Sequence, residues 1–352
     1  MKAEKSIEQN NLKEAWEKLV AEKPGLRIRD AATELGVSEA ELLVTGIGEN
    51  VVRLEPKFAE IFAELKPLGR VMALTRNEEI VHERKGVYEN FEMTKGHPVG
   101  LVLGEDIDLR IFFAVWASAF AVTSEGRAGL MHSLQFFDKS GNAIHKIFLT
   151  DASDLAEYEK LVAKYTSEDQ SATLSVEPKK ALPVDRPDSE IDVAGFNAAW
   201  AELKDTHDFF PLLRKFGVGR EQALRVADRE WAYPVAADAY RTAIEKAAEA
   251  KLPIMVFVGN DGMIQIHTGV VEKAFEARGW FNIMDEPFNL HINSPEVRSA
   301  WVVKKPTDDG IVTSIELFNS NGENIALIFG KRKPGIPEIE EWRELVATIP
   351  SV

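Results

Sequence analysis

The sequence repeats itself at an interval of about half its length, and this feature restricts the possible folds more than any other. Residues 12–19 (LKEAWEKL) resemble residues 196–203 (FNAAWAEL), 184 positions later, and both segments have the apolar spacing of a helix. Residues 35–42 (LGVSEAEL) resemble residues 216–223 (FGVGREQA) at an interval of 181. Because the matching segments keep the same order, the chain is predicted to be an internal duplication.

The later part of each copy is predicted to be an antiparallel sheet. In residues 134–141 (LQFFDKSG) and 315–322 (IELFNSNG), an apolar strand leads into a Ser-Gly or Asn-Gly turn and then into a second strand. Each half is therefore predicted to have N-terminal helices, a large antiparallel sheet of about six or more strands and a final helix, which is an α+β pattern. We expect the two sheets of this tandem structural repeat to be stacked face to face.

The boundary between the copies is predicted to lie in a segment rich in Ser, Asp, Glu, Lys and Pro. Residues 166–192 have no strong apolar period and are interpreted as a linker. Residues 1–165 then form the first repeat and residues 193–352 the second. A chain of 352 residues is long enough for two such domains, each with its own core.

Composition excludes several classes of function. The sequence has no cysteine, which excludes disulfides, thiolate metal sites and thiolate ligation of heme. A net charge of -15 argues against a general nucleic-acid surface. Without an apolar run in its first residues, or any stretch of about 18 apolar residues, the chain is expected to be cytoplasmic with no membrane insertion. No nucleotide, acyl-transfer or EF-hand motif is present.

The seven histidines are the candidate metal or heme ligands. No pair has the spacing that places two zinc ligands on one helix face. His97 precedes a proline and is predicted to lie in a turn. A histidine in a strand is more often structural than a ligand, and five lie in strand-like segments. These five are His82, His132, His145, His267 and His291.

His207 differs from the other histidines because it opens a helical segment, residues 206–215 (THDFFPLLRK). Thr206 is a possible helix cap. The segment offers an axial imidazole, aromatic walls and cations for carboxylates, which are the groups that a heme site requires. On the residues alone, the favoured alternative is an ordinary helix start with Phe residues in the core and basic residues in solvent.

Several basic residues stand out against the acidic composition. Arginine binds carboxylates bidentately, so cations that converge on one cleft would suit an anionic ligand. Charges that flank strands are, however, usually solvated. The candidates are Arg110 in an apolar strand, Arg220 in the first turn of a helix, and Lys304, Lys305, Lys331, Arg332 and Lys333 near the end.

Six segments together resemble one family, the cytoplasmic heme-trafficking proteins of bacterial hemin-uptake systems, also called hemin-degrading factors of the HemS, HmuS and PhuS type. The resemblance extends over nearly the whole chain. The segments are residues 31–38 (AATELGVS), 72–78 (MALTRNE), 108–112 (DLRIF), 203–210 (LKDTHDFF), 300–307 (AWVVKKPT) and 329–335 (FGKRKPG).

The resemblance implies that heme b is held in a cleft by one axial histidine and by cations at the propionates. It places the axial iron ligand at His207 and assigns no catalytic residue. Some members carry extra histidines directly after the ligand, whereas residues 208–210 here are Asp, Phe and Phe, which argues against ligand switching. The residues that match cofactor-binding positions are His207, Arg220, Arg332, Arg110, Lys305 and Phe112.

The resemblance also implies heme binding and trafficking in bacterial heme uptake and iron acquisition, with delivery to a degrading oxygenase. The alternative within the family is an enzyme that oxidatively opens the macrocycle to release iron. The implied partners are heme, a heme oxygenase and the cytoplasmic side of a heme ABC transporter, with the chain a monomer or a dimer.

Two other classes of function stay open: a protein-interaction scaffold, and DNA contact by residues 36–42. Glu34, Glu39 and Glu41 weigh against DNA contact because they place negative charge beside that helix.

Overall fold

The structure is a computed structural model that describes residues 9–126, 129–333 and 335–352. The chain divides into two compact units, and each unit is completed by a short segment from the other half of the sequence. The first unit comprises Met1–Thr75, Lys85–Lys180 and Asn260–Met263, and the second comprises Arg76–Arg84, Ala181–Gly259 and Ile264–Val352.

The helices are short and have clear end signals. Ser38 begins a helix by accepting a hydrogen bond from the backbone N–H of Glu41, whose carboxylate accepts one from the N–H of Ser38. Gly36 and Gly217 end helices with φ of 71° and 59°, a conformation that favours glycine. The helices are α1 (Gln9–Glu22), α2 (Ile28–Leu35), α3 (Glu39–Leu43), α4 (Phe58–Ala63), α5 (Leu155–Tyr165), α6 (Val193–Ala201), α7 (Phe209–Phe216), α8 (Arg220–Val226), α9 (Ala239–Glu249) and α10 (Glu340–Ala347). Single 3-10 turns lie at Val44–Gly46, Lys66–Leu68, Phe113–Val115, Asp188–Glu190, Thr206–Asp208 and Ser294–Glu296.

The strands form two nine-stranded antiparallel sheets. The strands of the first half of the sequence are β1 (Val51–Leu54), β2 (Gly69–Arg76), β3 (Ile80–Gly86), β4 (Phe91–Met93), β5 (Val99–Leu103), β6 (Asp108–Phe112), β7 (Trp116–Gly126), β8 (Gly129–Asp138) and β9 (Ala143–Ser153). Those of the second half are β10 (Ala232–Val235), β11 (Ile254–Asn260), β12 (Met263–Gly269), β13 (Ala274–Ala277), β14 (Trp280–Met284), β15 (Phe288–Asn293), β16 (Ser299–Thr307), β17 (Gly310–Phe318) and β18 (Asn324–Gly330).

Strand order and register repeat between the two units. The first unit contains the order β1-β7-β8-β9-β2, and the second contains the corresponding order β10-β16-β17-β18-β11. Ser118 pairs with Phe137 in the first unit, and Ser299 pairs with Phe318 in the second, so both partners are displaced by 181 positions. The α+β class and the tandem duplication are therefore confirmed.

Strand β17 is covered on both faces in the second unit, so its side chains are buried without interruption from Val312 to Phe318. Ile315 and Leu317 belong to one core cluster, which includes residues of α9 and α10. Phe318 belongs to a second cluster, which includes residues of α6, α7 and α8. Because strand side chains alternate between faces, Glu316 points to the same side as Phe318, toward the second cluster. A carboxylate is thus buried beneath these helices.

No helix in the described part of the chain is long and apolar enough to cross a membrane.

Candidate functional site

His207 lies in the 3-10 turn that precedes α7 in the second unit. The carboxylate of Asp205 accepts a hydrogen bond from the backbone N–H of His207 at 2.8 Å and contacts its Nδ1 at 2.7 Å. The proposal that Thr206 caps this segment is wrong, because Asp205 is the capping residue. Thr206 lies inside the turn and does not accept from the free N–H of His207. The carboxylate of Asp205, one residue earlier, does.

The environment of His207 suits a metal ligand. Its side chain is 87% exposed, and its Nδ1 is held by Asp205, which directs Nε2 outward as the ring nitrogen available to iron. The hydrogen bond from the His207 backbone is the main cause that lowers the pKa of Asp205. The carboxylate is therefore ionised at neutral pH and orients the imidazole.

A buried ion cluster lies under the same helices. Glu316 accepts two hydrogen bonds from Arg220, at 2.8 Å from Nε and 3.0 Å from a terminal guanidinium nitrogen, and one from Lys305 Nζ at 2.7 Å. The side chains of Glu316 and Lys305 are 0% and 4% exposed, whereas that of Arg220 is 27% exposed. The structure therefore joins Arg220 and Lys305, two predicted heme-contacting residues, through one carboxylate.

The opposite charges of this cluster stabilise each other. Burial by itself would raise the pKa of Glu316, but the positive charges of Arg220 and Lys305 outweigh burial and lower that pKa to about 2. Burial lowers the pKa of Lys305, although the negative charge of Glu316 opposes this shift. With both cations protonated, the cluster has a net charge of about +1.

Phe209 connects the ion cluster to the segment that carries His207. Lys305 Nζ lies 4.4 Å from the centroid of the Phe209 ring, and Arg220 Cζ lies 5.5 Å from it. The ring of Trp200 also packs against Phe209, at 4.7 Å between centroids. Phe209 is nearly fully buried, so it enters the core as the ordinary helix-start interpretation predicted, whereas Phe210 is 60% exposed.

Arg332 forms a long ion pair with Asp309. A terminal guanidinium nitrogen lies 3.5 Å from Asp309, and Nε is buried without a hydrogen-bond partner. After the hydrogen bonds of His207, the charge of Arg332 also contributes to the lowered pKa of Asp205. This orphaned donor, on the side of the unit that carries His207, fits a ligand with its own carboxylates.

Arg110 and Phe112 lie on β6 in the first unit. Arg110 donates hydrogen bonds to the side chain of Asp108 and to the backbone oxygen of Leu109, so it already has an anionic partner. The backbone N–H of Phe112 donates to the carbonyl of Gly262 at 2.9 Å. Their predicted roles toward heme stay predictions.

His145 is buried in the first unit with both ring nitrogens in contact. Nδ1 lies 2.8 Å from Thr75 Oγ1, and Nε2 lies 2.5 Å from the hydroxyl of Tyr88. Burial lowers the pKa of His145 to about 3. Its ring is neutral, fixed and closed to metal.

The remaining histidines are held by structural contacts or lie alone on the surface. The His267 ring stacks on Phe288 at 3.7 Å between centroids, and burial lowers its pKa well below the usual value. No cluster of three or more potential metal ligands exists within the ranges that the structure describes. His97 is exposed, His132 contacts Thr123, His291 contacts Asn282, and His82 contacts Gln265.

The first unit lacks the charges of this cluster. The strand registers of the two units correspond at an interval of 181, and so do residues 35–42 and 216–223. Positions 39, 124, 135 and 151 therefore correspond to positions 220, 305, 316 and 332. At intervals of 181 to 184, His207 corresponds to residues 23–26 (KPGL), which contain no histidine. The residues at the four corresponding positions are Glu39, Ser124, Gln135 and Asp151.

The site contains two carboxylates that sequence reasoning did not select, Asp205 and Glu316. A lone Glu within the apolar run of residues 315–318 was the available signal, because an unpaired carboxylate is rarely buried. Its partner Arg220 is distant in sequence, and only the fold shows that the two meet.

Comparison with known proteins supplies independent information. The model of the "Haemin-degrading HemS.ChuX domain" family matches residues 36–165 and 217–349. The "Hemin transport protein HmuS" of Yersinia pestis is 39% identical over 330 residues, which are 94% of each chain. The "Hemin transport protein HemS" of Yersinia enterocolitica is 38% identical over the same length and the same shares.

Solved structures match over almost the full length. Holo-PhuS, a heme-binding protein from Pseudomonas aeruginosa, has 45% identity and a TM-score of 0.96, with 98% of this chain and 100% of that chain covered. The Escherichia coli O157:H7 heme-degrading enzyme ChuS has 35% identity and a TM-score of 0.89, and the match covers 97% of this chain and 99% of that chain.

Proposed function

Because this chain belongs to the haemin-degrading HemS/ChuX domain family, we propose that it binds one heme through His207 of its second unit and carries it during iron acquisition. The observation that carries the proposal is the exposed imidazole of His207, oriented by Asp205, whose carboxylate also senses the positive charge of Arg332. Imidazole is a common axial ligand of heme iron, and guanidinium groups bind carboxylates.

The proposed ligand is heme b, whose two propionates are carboxylates. Arg332 keeps 16% of its side chain exposed and Arg220 keeps 27%, so both guanidinium groups present donors to a propionate. Lys305 is almost fully buried, so it contributes its positive charge to the site without contacting a propionate directly. Arg110 and Phe112 remain in the proposal on their match to the family's positions.

The proposed stoichiometry is one heme per chain. The first unit has acidic or neutral residues where the second has Arg220, Lys305 and Arg332, and it has no counterpart of His207. Because heme carries negative carboxylates, a second equivalent site in the first unit is not expected.

We favour transport over degradation. The relatives in Yersinia are named hemin transport proteins, and the PhuS structure is described as that of a heme-binding protein. An exposed axial ligand also suits release to an acceptor. The proposed route runs in the cytoplasm from a heme ABC transporter to a heme oxygenase, with the chain as a monomer or a dimer. Similarity to ChuS, described as a heme-degrading enzyme, supports oxidative ring opening as the second candidate.

The first test is an absorbance titration of the purified protein with hemin. The wild type should saturate near one hemin per chain, and His207→Ala should alter the Soret band and weaken binding by at least about tenfold. His97→Ala is the matched control, because His97 is also exposed and should leave the titration unchanged. No saturable binding by the wild type, or equal effects of both variants, would refute the proposal.

The same samples separate transport from degradation. After saturation, ascorbate is added under air in the presence of catalase. A stable Soret band supports a carrier, whereas decay that survives catalase supports oxidative opening of the macrocycle.

A further inference from the structure

The role of Glu316 is not explained by the heme-binding residues proposed above. It is fully buried, it does not face solvent, and it accepts hydrogen bonds from two cations that a heme ligand would attract. The bidentate contact fixes the plane of the Arg220 guanidinium at the point where α8 begins.

We propose that Glu316 is a positioning residue for anion recognition, which orients Arg220 and keeps Lys305 charged so that the pair attracts the negative charge of bound heme. The inference rests on the proposed function. The negative charge comes from one of two anionic groups, a propionate carboxylate or an anion bound to ferric iron.

The physical reason is the cost of burying a cation. Burial lowers the pKa of Lys305, and the charge and hydrogen bond of Glu316 oppose that shift and so favour the protonated ammonium. A guanidinium without a bidentate partner would populate several rotamers, and ordering it upon binding would cost free energy. One carboxylate counters both effects and leaves a net charge of about +1.

The first unit shows that this place in the fold does not require a carboxylate. Gln135 corresponds to Glu316, and Ser133 corresponds to Ser314, at the same interval of 181. The amide of Gln135 donates to Ser133 at 3.1 Å, and the hydroxyl of Ser314 donates to Glu316 at 3.4 Å. Because both residues are accommodated beside a serine, the charge of Glu316 serves more than packing.

The first unit also reverses the charge at the start of the helix. Glu39 stands where Arg220 stands and forms an ion pair with Lys146. The net charge of that pair is zero, whereas the cluster of the second unit has a net charge of about +1. The acid at position 316 thus occurs in the unit that is proposed to bind an anionic ligand.

The test is a double-mutant cycle in hemin affinity with Glu316→Gln, Arg220→Gln and the double variant. Gln is the residue that the first unit uses at this place, so Glu316→Gln is expected to fold, which urea unfolding checks. Each single change should weaken hemin binding about tenfold, and the double variant should also lose about tenfold rather than a hundredfold, because both changes remove the same oriented cation. Glu316→Asp should restore part of the affinity, and Ser314→Ala should change it less than twofold.

Two probes identify the source of the negative charge. If the carboxylates of heme are recognised, the loss caused by Glu316→Gln disappears with hemin dimethyl ester, whose carboxylates are neutral. If an anion on the iron is recognised, the loss persists with the ester, and azide binding to the ferric complex also weakens in the variant. Either result supports the proposal.

Three results would overturn the inference. They are unchanged hemin affinity in Glu316→Gln, losses that multiply to a hundredfold in the double variant, and an equal loss with the ester while azide affinity is unchanged. In each of these cases wild-type hemin binding would stand. If the wild type bound no hemin at all, the proposed function would fail, and this inference with it.

Discussion

Replacement of His145 by Gln should make the stability of the protein less sensitive to acid. Burial raises the pKa of Tyr88, so its hydroxyl keeps its proton and donates to Nε2 of His145. The hydrogen of the neutral ring is then assigned to Nδ1, on the side of Thr75. Burial disfavours the charged imidazolium that a second proton would create, which is why the folded state resists protonation.

The magnitude follows from the two protonation equilibria of His145. Its pKa is 6.5 in the unfolded chain and about 3 in the folded state, so between pH 6.5 and about pH 3 the proton binds mainly to the unfolded state. Stability from this residue is complete above pH 6.5 and falls as the pH decreases toward 3. At about 1.36 kcal/mol per pH unit, His145 accounts for a loss of about 2 kcal/mol between pH 7 and pH 5.

The assay is urea unfolding followed by tryptophan fluorescence at pH 7, 6 and 5. The wild type should lose about 2 kcal/mol more than His145→Gln between pH 7 and pH 5. His132→Gln is the control, because it removes a histidine that is only partly buried in the same unit. Equal pH dependence in His145→Gln and the wild type would show that the folded state does not exclude the proton from His145.

Two further changes test the site and the packing around it. Arg332→Gln should weaken hemin binding about fivefold in an absorbance titration, because it removes a charged donor whose ion pair with Asp309 is long, at 3.5 Å. Unchanged affinity would exclude Arg332 from the site. Gly330→Ala should lower the free energy of unfolding by about 1–3 kcal/mol, because an added Cβ would lie 2.5 Å from Cβ of Trp342. Urea unfolding measures this loss, and an unchanged midpoint would mean that α10 shifts without cost.

The fold was largely predictable because its main signals are local and occur twice. The hairpin turns at Gly141 and Gly322, with φ of 78° and 74°, mark matching strands, and the same strand order appears in both units. The tandem α+β repeat is confirmed for this reason. The exchange of short segments between the halves, such as Arg76–Arg84, was not predictable, because the contacts that assign them are not local in sequence.

The site was predictable only in part. His207 stood out because it opens a helical segment with a possible cap residue, aromatic residues and cations, and the structure gives it an orienting carboxylate. Sequence reasoning treated Arg220 and Lys305 as cations available to a ligand, whereas both are bonded to Glu316. A single sequence contains no information on such a pairing between residues 96 positions apart, because it depends on how α8 packs on β17.

The exposure of His207 has a consequence for the kinetics of a carrier. An iron ligand in a short surface turn can move away without opening the core, so the barrier to heme release need not include unfolding of α7. Asp205 holds the ring in place before heme arrives, which reduces the side-chain entropy that binding must remove. We therefore expect loading and unloading to be governed by rotation of one side chain, a rapid local motion, rather than by a slow movement of the surrounding sheet.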